Sequence, residues 1–170
     1  MRKLPIAFFV LLALSASASA QQSRSYVYAF GGPVVVPQSA FTRWDGSFIH
    51  VGGGGEGALT NKFGLAGELG VLKPLTNRYA ITTGVASLSP TYHFLETSSK
   101  RKLDPFIDGG VSLLLGSGAA PTIHYGGGVN YWLKRRFGLR VEFRHHLWSP
   151  EAGEIVHFLG FRFGVVFRTG

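Results

Sequence analysis

The chain has 170 residues, with 17 Lys and Arg against 9 Asp and Glu, and its formal net charge is +8. It contains no cysteine, which excludes disulfides, thiolate metal sites, cysteine nucleophiles and covalently attached c-type haem. Such an excess of basic over acidic residues suggests nucleic acid as a partner, unless the chain is exported to a compartment that contains no nucleic acid.

The N-terminal segment has the layout of a secretory signal peptide. A basic start at Arg2 and Lys3 precedes an apolar run of nine residues, and small residues follow up to Ala20. The run is too short to span a bilayer, and the A-x-A-like ending is typical of a cleavage site. We therefore expect residues 1–20 to be removed, leaving residues 21–170 as one domain with 15 basic and 9 acidic residues. An anionic membrane surface, not nucleic acid, is then the expected counter-charge.

The rest of the chain consists of runs with alternating apolar and polar residues, and no run has helical spacing. Several runs reach the roughly 9–11 residues that a tilted strand needs to cross a membrane. Short turns between long consecutive strands predict an all-β, eight-stranded antiparallel up-and-down β-barrel, since closure removes exposed sheet edges. The predicted strands are residues 24–36, 47–58, 62–73, 79–94, 104–115, 121–133, 137–148 and 156–168.

The second strand contains VGGGGEG at residues 51–57, which matches the G-x-G-x-x-G pattern of dinucleotide-binding loops. Such a loop must open a helix, because the helix N-terminus binds the phosphates, but a turn-forming segment follows here. We interpret the glycines as positions where a missing side chain permits sharp barrel curvature and leaves interior volume for neighbouring charged groups. Glu56 then becomes a candidate partner for an interior arginine.

Sorting each strand by face decides which side meets lipid. A water-facing strand surface carries lysine freely, but the lysines near the predicted strands lie at turns or strand ends, namely Lys62, Lys73, Lys100, Lys102 and Lys134. We therefore expect the apolar face to meet lipid and the polar face to fill the interior, as in a transmembrane barrel. A soluble lipocalin-like carrier of apolar ligands, with the faces inverted, is the alternative. The facing of the second and fourth strands is not resolved by the pattern.

The charges that lie mid-strand are close to balance, as an enclosed interior requires. Glycine, alanine and serine occupy the other positions of that face and leave room for long side chains. His50, His124 and His146 lie near these charges. The predicted interior ion-pair network comprises Glu56, Glu68, Asp108, Arg140, Glu142, Arg144 and Arg162.

Aromatic residues cluster near strand ends, as expected for rings at membrane interfaces, and they are Tyr26, Tyr28, Trp44, Tyr79, Tyr92, Tyr131, Trp132 and Trp148. The chain closes on the alternating strand GFRFGVVF at residues 160–167 and continues through Arg168-Thr169-Gly170. With the signal peptide and the charged, glycine-bearing face, this pattern resembles the small outer-membrane β-barrels of the OmpA and OmpX type over residues 24–168.

The resemblance implies a monomer in a Gram-negative outer membrane, contacting outer-membrane lipid and inserted by the outer-membrane assembly machinery. It implies no cofactor and no nucleic acid partner, and it places the N-terminus at the periplasmic side. By the same analogy, Glu142 is expected to pair with Arg140 or Arg144, together with Arg162. The expected role is structural or interactive, with an interior that is not an open pore.

Two groups of residues suggest a site that differs from this non-enzymatic role. His145 and His146 are consecutive on a strand and point to opposite faces, so they are not expected to bind one metal ion. Some barrels of this type modify lipid A acyl chains with a Ser/His/carboxylate set, and the local candidates are His146, Ser149 and Glu151 or Glu154. The H-x-S arrangement of the deacylases is absent, so acyl chemistry is the third function considered.

Two turns carry runs of basic residues, Lys100-Arg101-Lys102 and Lys134-Arg135-Arg136. Both turns are periplasmic if the N-terminus is. A contact with anionic lipid or with a cell-wall polymer is the expectation that these runs motivate.

Overall fold

A computed structural model describes residues 25–37, 46–75, 81–95, 102–150 and 154–169. Consecutive strands pair antiparallel, and β1 also pairs with β8, so the sheet closes into an eight-stranded up-and-down barrel. The predicted fold class is confirmed. The strands are β1 (Ser25–Val36), β2 (Gly46–Ala58), β3 (Phe63–Pro74), β4 (Thr83–His93), β5 (Leu103–Leu115), β6 (Ala119–Trp132), β7 (Phe137–Trp148) and β8 (Val156–Arg168).

The strand bounds differ little from those predicted. β7 and β8 have the predicted bounds, and most other described ends lie within one or two residues of them. The fourth strand was predicted from residue 79, but residues 81 and 82 are not extended and residues 79 and 80 lie outside the described chain. The predicted signal peptide, residues 1–20, also lies outside it. Within the described ranges, no helix is long and apolar enough to cross a bilayer.

The barrel has two distinct ends. The terminal end holds Ser25 and Arg168, the turns between β2 and β3 and between β6 and β7, and the adjoining ends of β4 and β5. The distal end holds the opposite strand ends, among them Val36, Pro74, Leu115 and Trp148. Strands of 11 to 14 residues separate the two ends, which suffices for a tilted strand to cross a bilayer.

Side chains alternate strictly across the barrel wall. On β7, Leu139 is 43% exposed and its neighbour Arg140 is 3% exposed. The two strands whose facing the sequence left open follow the same rule: His50 and Glu56 on β2, like His93 on β4, face the interior. The outward faces form an apolar surface far larger than a water-soluble protein exposes. Polar and charged side chains fill the inside.

Candidate functional site

Six charged side chains form a compact cluster in the middle of the interior. All are at most 7% exposed, and three acids balance three arginines, so the formal charge of the group is zero. Such balance is needed because a buried charge without a partner destabilises a fold by several kcal/mol. We call this group the central cluster: Glu68, Asp108, Arg140, Glu142, Arg144 and Arg162.

Glu68 on β3 accepts the most hydrogen bonds in the central cluster. Arg162 donates from Nη1 to Oε2 at 2.9 Å and from Nη2 to Oε1 at 3.1 Å. Arg144 donates from both Nη atoms to the same carboxylate, and the Tyr28 hydroxyl donates to Oε1 at 2.8 Å. Two forked guanidinium contacts to one carboxylate fix its orientation as well as neutralise it.

Glu142 connects the three arginines. Arg140 Nε lies 3.0 Å from its Oε2, Arg144 Nε lies 2.9 Å from its Oε1, and Arg162 Nη2 contacts Oε1. Asp108 on β5 adds a contact to Arg144 Nη2. Residues 140, 142 and 144 share the inward face of β7, and Glu142 lies directly opposite Arg162 on β8. The pairings expected around Glu142 are therefore all present.

Aromatic rings complete the surroundings of the arginines. Arg140 lies over the rings of Tyr28 and Phe106, with its Cζ 4.4 and 4.0 Å from their centroids. Arg162 lies 4.0 Å from the centroid of Phe30. A cation over a ring face is stabilised by the ring quadrupole, most strongly where water is excluded. These rings therefore offset part of the desolvation cost of burying three guanidinium groups.

A second group lies nearer the terminal end and centres on His93. Its Nε2 is 2.7 Å from Glu56 Oε1 and its Nδ1 is 2.7 Å from Asp104 Oδ1. Thr91 also donates to Glu56, and Asn130 donates to Asp104. The expectation that Glu56 pairs with an arginine is wrong, because Glu56 lies toward the terminal end of β2, where its Oε1 contacts the imidazole at the terminal end of β4. We call these five residues the His93 group.

The sequence interpretation missed four members of the His93 group: Thr91, His93, Asp104 and Asn130. A bond from Arg140 Nη1 to Asn130 Oδ1 at 3.4 Å joins this group to the central cluster. Strand parity, the alternation of inward and outward side chains along a strand, could have revealed all four, since each lies on the inward face of its strand. Asp104 and Asn130 are also direct partners in the β5–β6 ladder.

On the distal side of the central cluster the interior becomes polar and uncharged. His124 contacts Ser89 Oγ through Nε2 and Ser112 Oγ through Nδ1, both at 2.7 Å. Ser112 also shares a hydrogen bond with Ser87. His50 and His146 also face the interior.

The distal end of the interior is apolar, which the sequence did not predict. Four buried side chains from β1, β3, β4 and β5 pack together with three partly buried ones from β2, β6 and β8. Contributions from seven of the eight strands let the side chains meet across the barrel. We call this set the apolar layer: Val34, Leu72, Val85, Leu114, Phe48, Ala120 and Phe158.

Several aromatic residues predicted at the membrane interfaces lie inside the barrel instead. Tyr26, Tyr28 and Trp132 are at most 4% exposed, and Tyr26 and Trp132 pack with ring centroids 5.6 Å apart. Proximity to a strand end does not determine facing, whereas strand parity does. Tyr92 and Tyr131 are on the outward face as expected; Trp148 is half-buried, and residues 44 and 79 lie outside the described chain.

Inward glycines are required by the close packing. A Cβ on Gly54 would lie 2.5 Å from the carbonyl oxygen of Gly67 and 2.8 Å from Glu68 Cγ. On Gly128 it would lie 2.2 Å from the carbonyl oxygen of Val141 and 2.9 Å from the Phe106 ring. The VGGGGEG segment therefore gives space to the central cluster, in agreement with our interpretation of its glycines.

The other candidate sites are only partly covered by the described chain. His145 faces outward and His146 faces inward, so the two imidazoles lie on opposite sides of the wall. Among the described residues, no group of three or more His, Asp or Glu side chains is arranged to hold a metal. Ser149 follows β7 at the distal end, and Glu151 lies outside the described residues, as do Lys100 and Arg101.

The arrangement of faces is that of transmembrane β-barrels, which carry an apolar outer surface around a polar interior. It is the inverse of the lipocalin-like alternative, in which apolar side chains would line the cavity and polar ones would meet water.

Comparison with solved structures supports the same class. The chain is similar to Neisserial surface protein A, with a TM-score of 0.69 and 15% identity over 84% of this chain and 96% of the other. It is similar to the N-terminal β-barrel domain of Pseudomonas aeruginosa OprF, with a TM-score of 0.57 and 19% identity over 84% of this chain and 99% of the other. The chain is also similar to Ail of Yersinia pestis, solved with the heparin analogue sucrose octasulfate, with a TM-score of 0.55 and 10% identity over 87% of this chain and 99% of the other.

At these identities the similarity concerns the fold, and at that level the predicted resemblance to small eight-stranded outer-membrane barrels is confirmed. No protein-family model matches the sequence, and no curated protein matches it.

Proposed function

We propose that this protein is an integral outer-membrane β-barrel with a structural or interaction role and a closed interior. The observation that carries the proposal is the combination of an apolar outward face with an inward cluster of three acids and three arginines. An apolar exterior needs lipid around it, and a neutral, hydrogen-bonded interior needs no bulk water to solvate its charges.

Two features support a closed interior. An eight-stranded barrel is only wide enough for its own side chains, and here arginine, glutamate and aromatic side chains meet across it. The apolar layer adds a constriction of a different kind, because narrow apolar segments lose their water. A solute entering from either end would have to break buried ion pairs or displace packed aliphatic side chains.

Fractionation tests the membrane location. Cells expressing the full chain are separated into soluble and outer-membrane fractions, and the protein is run on a detergent gel with and without heating. We expect an outer-membrane protein whose folded form migrates differently from the heated one. Recovery in the soluble periplasm with a single mobility would contradict the proposal.

Removal of residues 1–20 and insertion by the outer-membrane assembly machinery are part of the same proposal, as is a monomeric state. N-terminal sequencing of the membrane-inserted protein tests the first part, with Gln21 as the expected first residue. Depletion of the assembly machinery tests the second part, and we expect the gel band of the folded protein, seen without heating, to disappear.

Basic residues at the terminal end support a contact with an anionic partner there. Lys102, Lys134, Arg135 and Arg136 are all exposed beside or within turns at that end. We propose that they contact headgroups of the inner leaflet or a cell-wall polymer. Reversing the charges of the turns at residues 100–102 and 134–136 should weaken membrane association, and unchanged association would remove this part of the proposal.

A non-catalytic role is tested separately, because a lipid A acyl-modifying enzyme can share this fold. The acyl pattern of lipid A is compared in cells with and without expression of the protein. We expect no change. A loss or gain of acyl chains that depends on Ser149 would instead favour the enzyme.

A further inference from the structure

Three side chains on the outer surface of the barrel form a hydrogen-bonded chain. Tyr125 Oη lies 2.7 Å from His145 Nδ1, and His145 Nε2 lies 3.0 Å from His157 Nδ1. The two imidazoles stack with centroids 5.1 Å apart and planes 25° from parallel. The Tyr125 ring packs edge to face against the His145 ring, with the two centroids 5.0 Å apart. We call these three residues the outer-face triad.

The outer-face triad lies toward the distal end on adjacent strands. Tyr125 is directly opposite His145 in the β6–β7 ladder, and His157 is opposite Leu147 in the β7–β8 ladder. The outward neighbours are apolar: Ile123 and Leu147 on the distal side, and the packed pair Phe143 and Phe161 on the terminal side. The outer-face triad is thus a polar group within an otherwise apolar part of the outer surface.

Depth in the bilayer decides what such a group costs. A basic side chain on the lipid face is strongly destabilising at the bilayer midplane and costs little near the interfaces. His157 is the second residue of β8, and His145 is the fourth from the end of β7. The two imidazoles are therefore expected near the headgroup boundary of the distal leaflet, where phosphates are within reach, while Tyr125, the seventh residue of β6, supports His145 from the side.

Charge on the outer surface has a single sign. Among the described strand residues that face outward, the groups able to carry a positive charge are Lys73, His145 and His157, and all lie toward the distal end. The described acids on strands all face inward, and Glu154 lies in the segment before β8. Positive charge at the triad therefore faces lipid and meets no outward carboxylate on the wall.

The hydrogen-bonding pattern leaves a donor that points away from the chain of contacts. In the tautomer in which Tyr125 donates to His145 Nδ1, the Nε2–H of His145 donates to His157 Nδ1. The remaining N–H, on His157 Nε2, has no partner in the part of the chain that the structure describes. Protonating the pair adds a charge that an anionic acceptor would stabilise.

We propose that Tyr125, His145 and His157 form a binding site for the phosphate monoester headgroup of a lipid in the distal leaflet. The Nε2–H of His157 donates to a phosphate oxygen, Tyr125 and His145 orient that imidazole through the hydrogen-bonded chain, and Phe143 and Phe161 on the terminal side pack against the acyl chains. The inference rests on the proposed membrane location and deepens it, because it assigns a lipid chemistry to one position on the wall.

The test uses the full protein folded into phosphatidylcholine vesicles that contain a minor fraction of phosphatidic acid, the probe for a phosphate monoester lipid. Lipids that remain bound after mild detergent extraction are quantified by mass spectrometry, and imidazole nitrogen shifts are recorded by NMR. The variants are the double substitution His145→Gln with His157→Gln, and Tyr125→Phe. Their controls are Lys73→Gln, an outward cation outside the triad, and Tyr131→Phe, an outward tyrosine at the other end of β6.

We expect the wild-type protein to retain phosphatidic acid over phosphatidylcholine about tenfold, which corresponds to about 1.4 kcal/mol. The double variant should lose this preference and Tyr125→Phe should reduce it, while both controls keep it. The imidazole signals should shift with phosphatidic acid and not with inorganic phosphate. Equal shifts with inorganic phosphate would overturn the lipid assignment, and retention by the double variant would overturn the site.

Failure of this proposal is distinguishable from failure of the proposed function. Every variant is first checked for the heat-modified band in vesicles, which reports insertion independently of lipid retention. An inserted wild-type protein with no preference for phosphatidic acid overturns the headgroup site alone. A protein that does not insert overturns the membrane proposal.

Discussion

The central cluster and the apolar layer fill neighbouring parts of one barrel with opposite chemistry. In the central cluster, long charged side chains reach across the interior, and each depends on partners placed by other strands. In the apolar layer, aliphatic and aromatic side chains pack without any specific bond. Losing one partner in the first region leaves an uncompensated charge, whereas losing a side chain in the second leaves a cavity. The two regions should therefore respond differently to substitution.

The largest effect is expected for Glu68→Leu, which removes the carboxylate shared by Arg144, Arg162 and Tyr28. Two guanidinium groups would stay buried with fewer acceptors, and we expect a loss of about 3–5 kcal/mol in the free energy of unfolding. Denaturant titration in vesicles measures it. The matched control Glu154→Leu, outside the interior, should change stability by less than about 0.5 kcal/mol. Similar losses for both would mean that Glu68 is not an inward partner of the arginines.

The second largest effect is expected for Leu114→Ala in the apolar layer. A buried leucine truncated to alanine costs about 2–5 kcal/mol, because a cavity adds to the lost transfer energy. Leu113→Ala, one residue away on the lipid face, should cost less because fluid acyl chains refill the space. The same titration compares them, and an equal cost would indicate that no packed layer closes the distal end.

A moderate effect is expected for Gly54→Ala, which sharpens the view that glycines give space to the central cluster. The new methyl group would press on the Gly67 carbonyl and on Glu68, and overpacking of this kind costs about 1–3 kcal/mol. Gly55→Ala, on the outward face with a nearest contact of 3.4 Å, should be neutral within about 0.5 kcal/mol. A tolerated Gly54→Ala would contradict the tight fit seen at this position.

The smallest effect is expected for Arg168→Gln at the terminal end. Arg168 lies over Trp132 with its Cζ 3.7 Å from the ring centroid and donates to the Arg135 carbonyl. Losing the cation over the ring should cost about 1 kcal/mol. The control is Arg136→Gln in an exposed turn, which should leave the free energy of unfolding unchanged. A loss of about 1 kcal/mol in the control as well would mean that the effect comes from the net charge of the protein and not from the contact with Trp132.

Strand parity carried most of what the sequence could predict. On β7 the alternation of Leu139, Arg140, Val141 and Glu142 is unambiguous, because a period of two leaves each side chain one face. From that parity followed the lipid-facing surface and the interior charges, whereas the pairing around Glu142 came from the resemblance to small outer-membrane barrels.

Cross-barrel contacts could not be predicted, because parity gives the face of a residue and not its depth or its partner across the interior. We therefore expected an arginine as the partner of Glu56, whereas the structure shows that its partner is His93. The apolar layer was missed for a related reason: Val34-Val35-Val36 and Leu113-Leu114-Leu115 break the alternation and look like uninformative runs. Their positions at the distal ends of β1 and β5 are the signal that could have revealed the layer.

The most direct test of the closed interior is the permeability of vesicles that contain the wild-type protein at known density. Ion conductance is recorded across a planar bilayer, and sugar entry is followed by vesicle swelling. Charge pairing and apolar packing together predict no sugar entry and no stable conductance steps of the size that water-filled porins give. Reproducible open steps with sugar entry, from protein that shows the heat-modified band, would contradict a closed barrel.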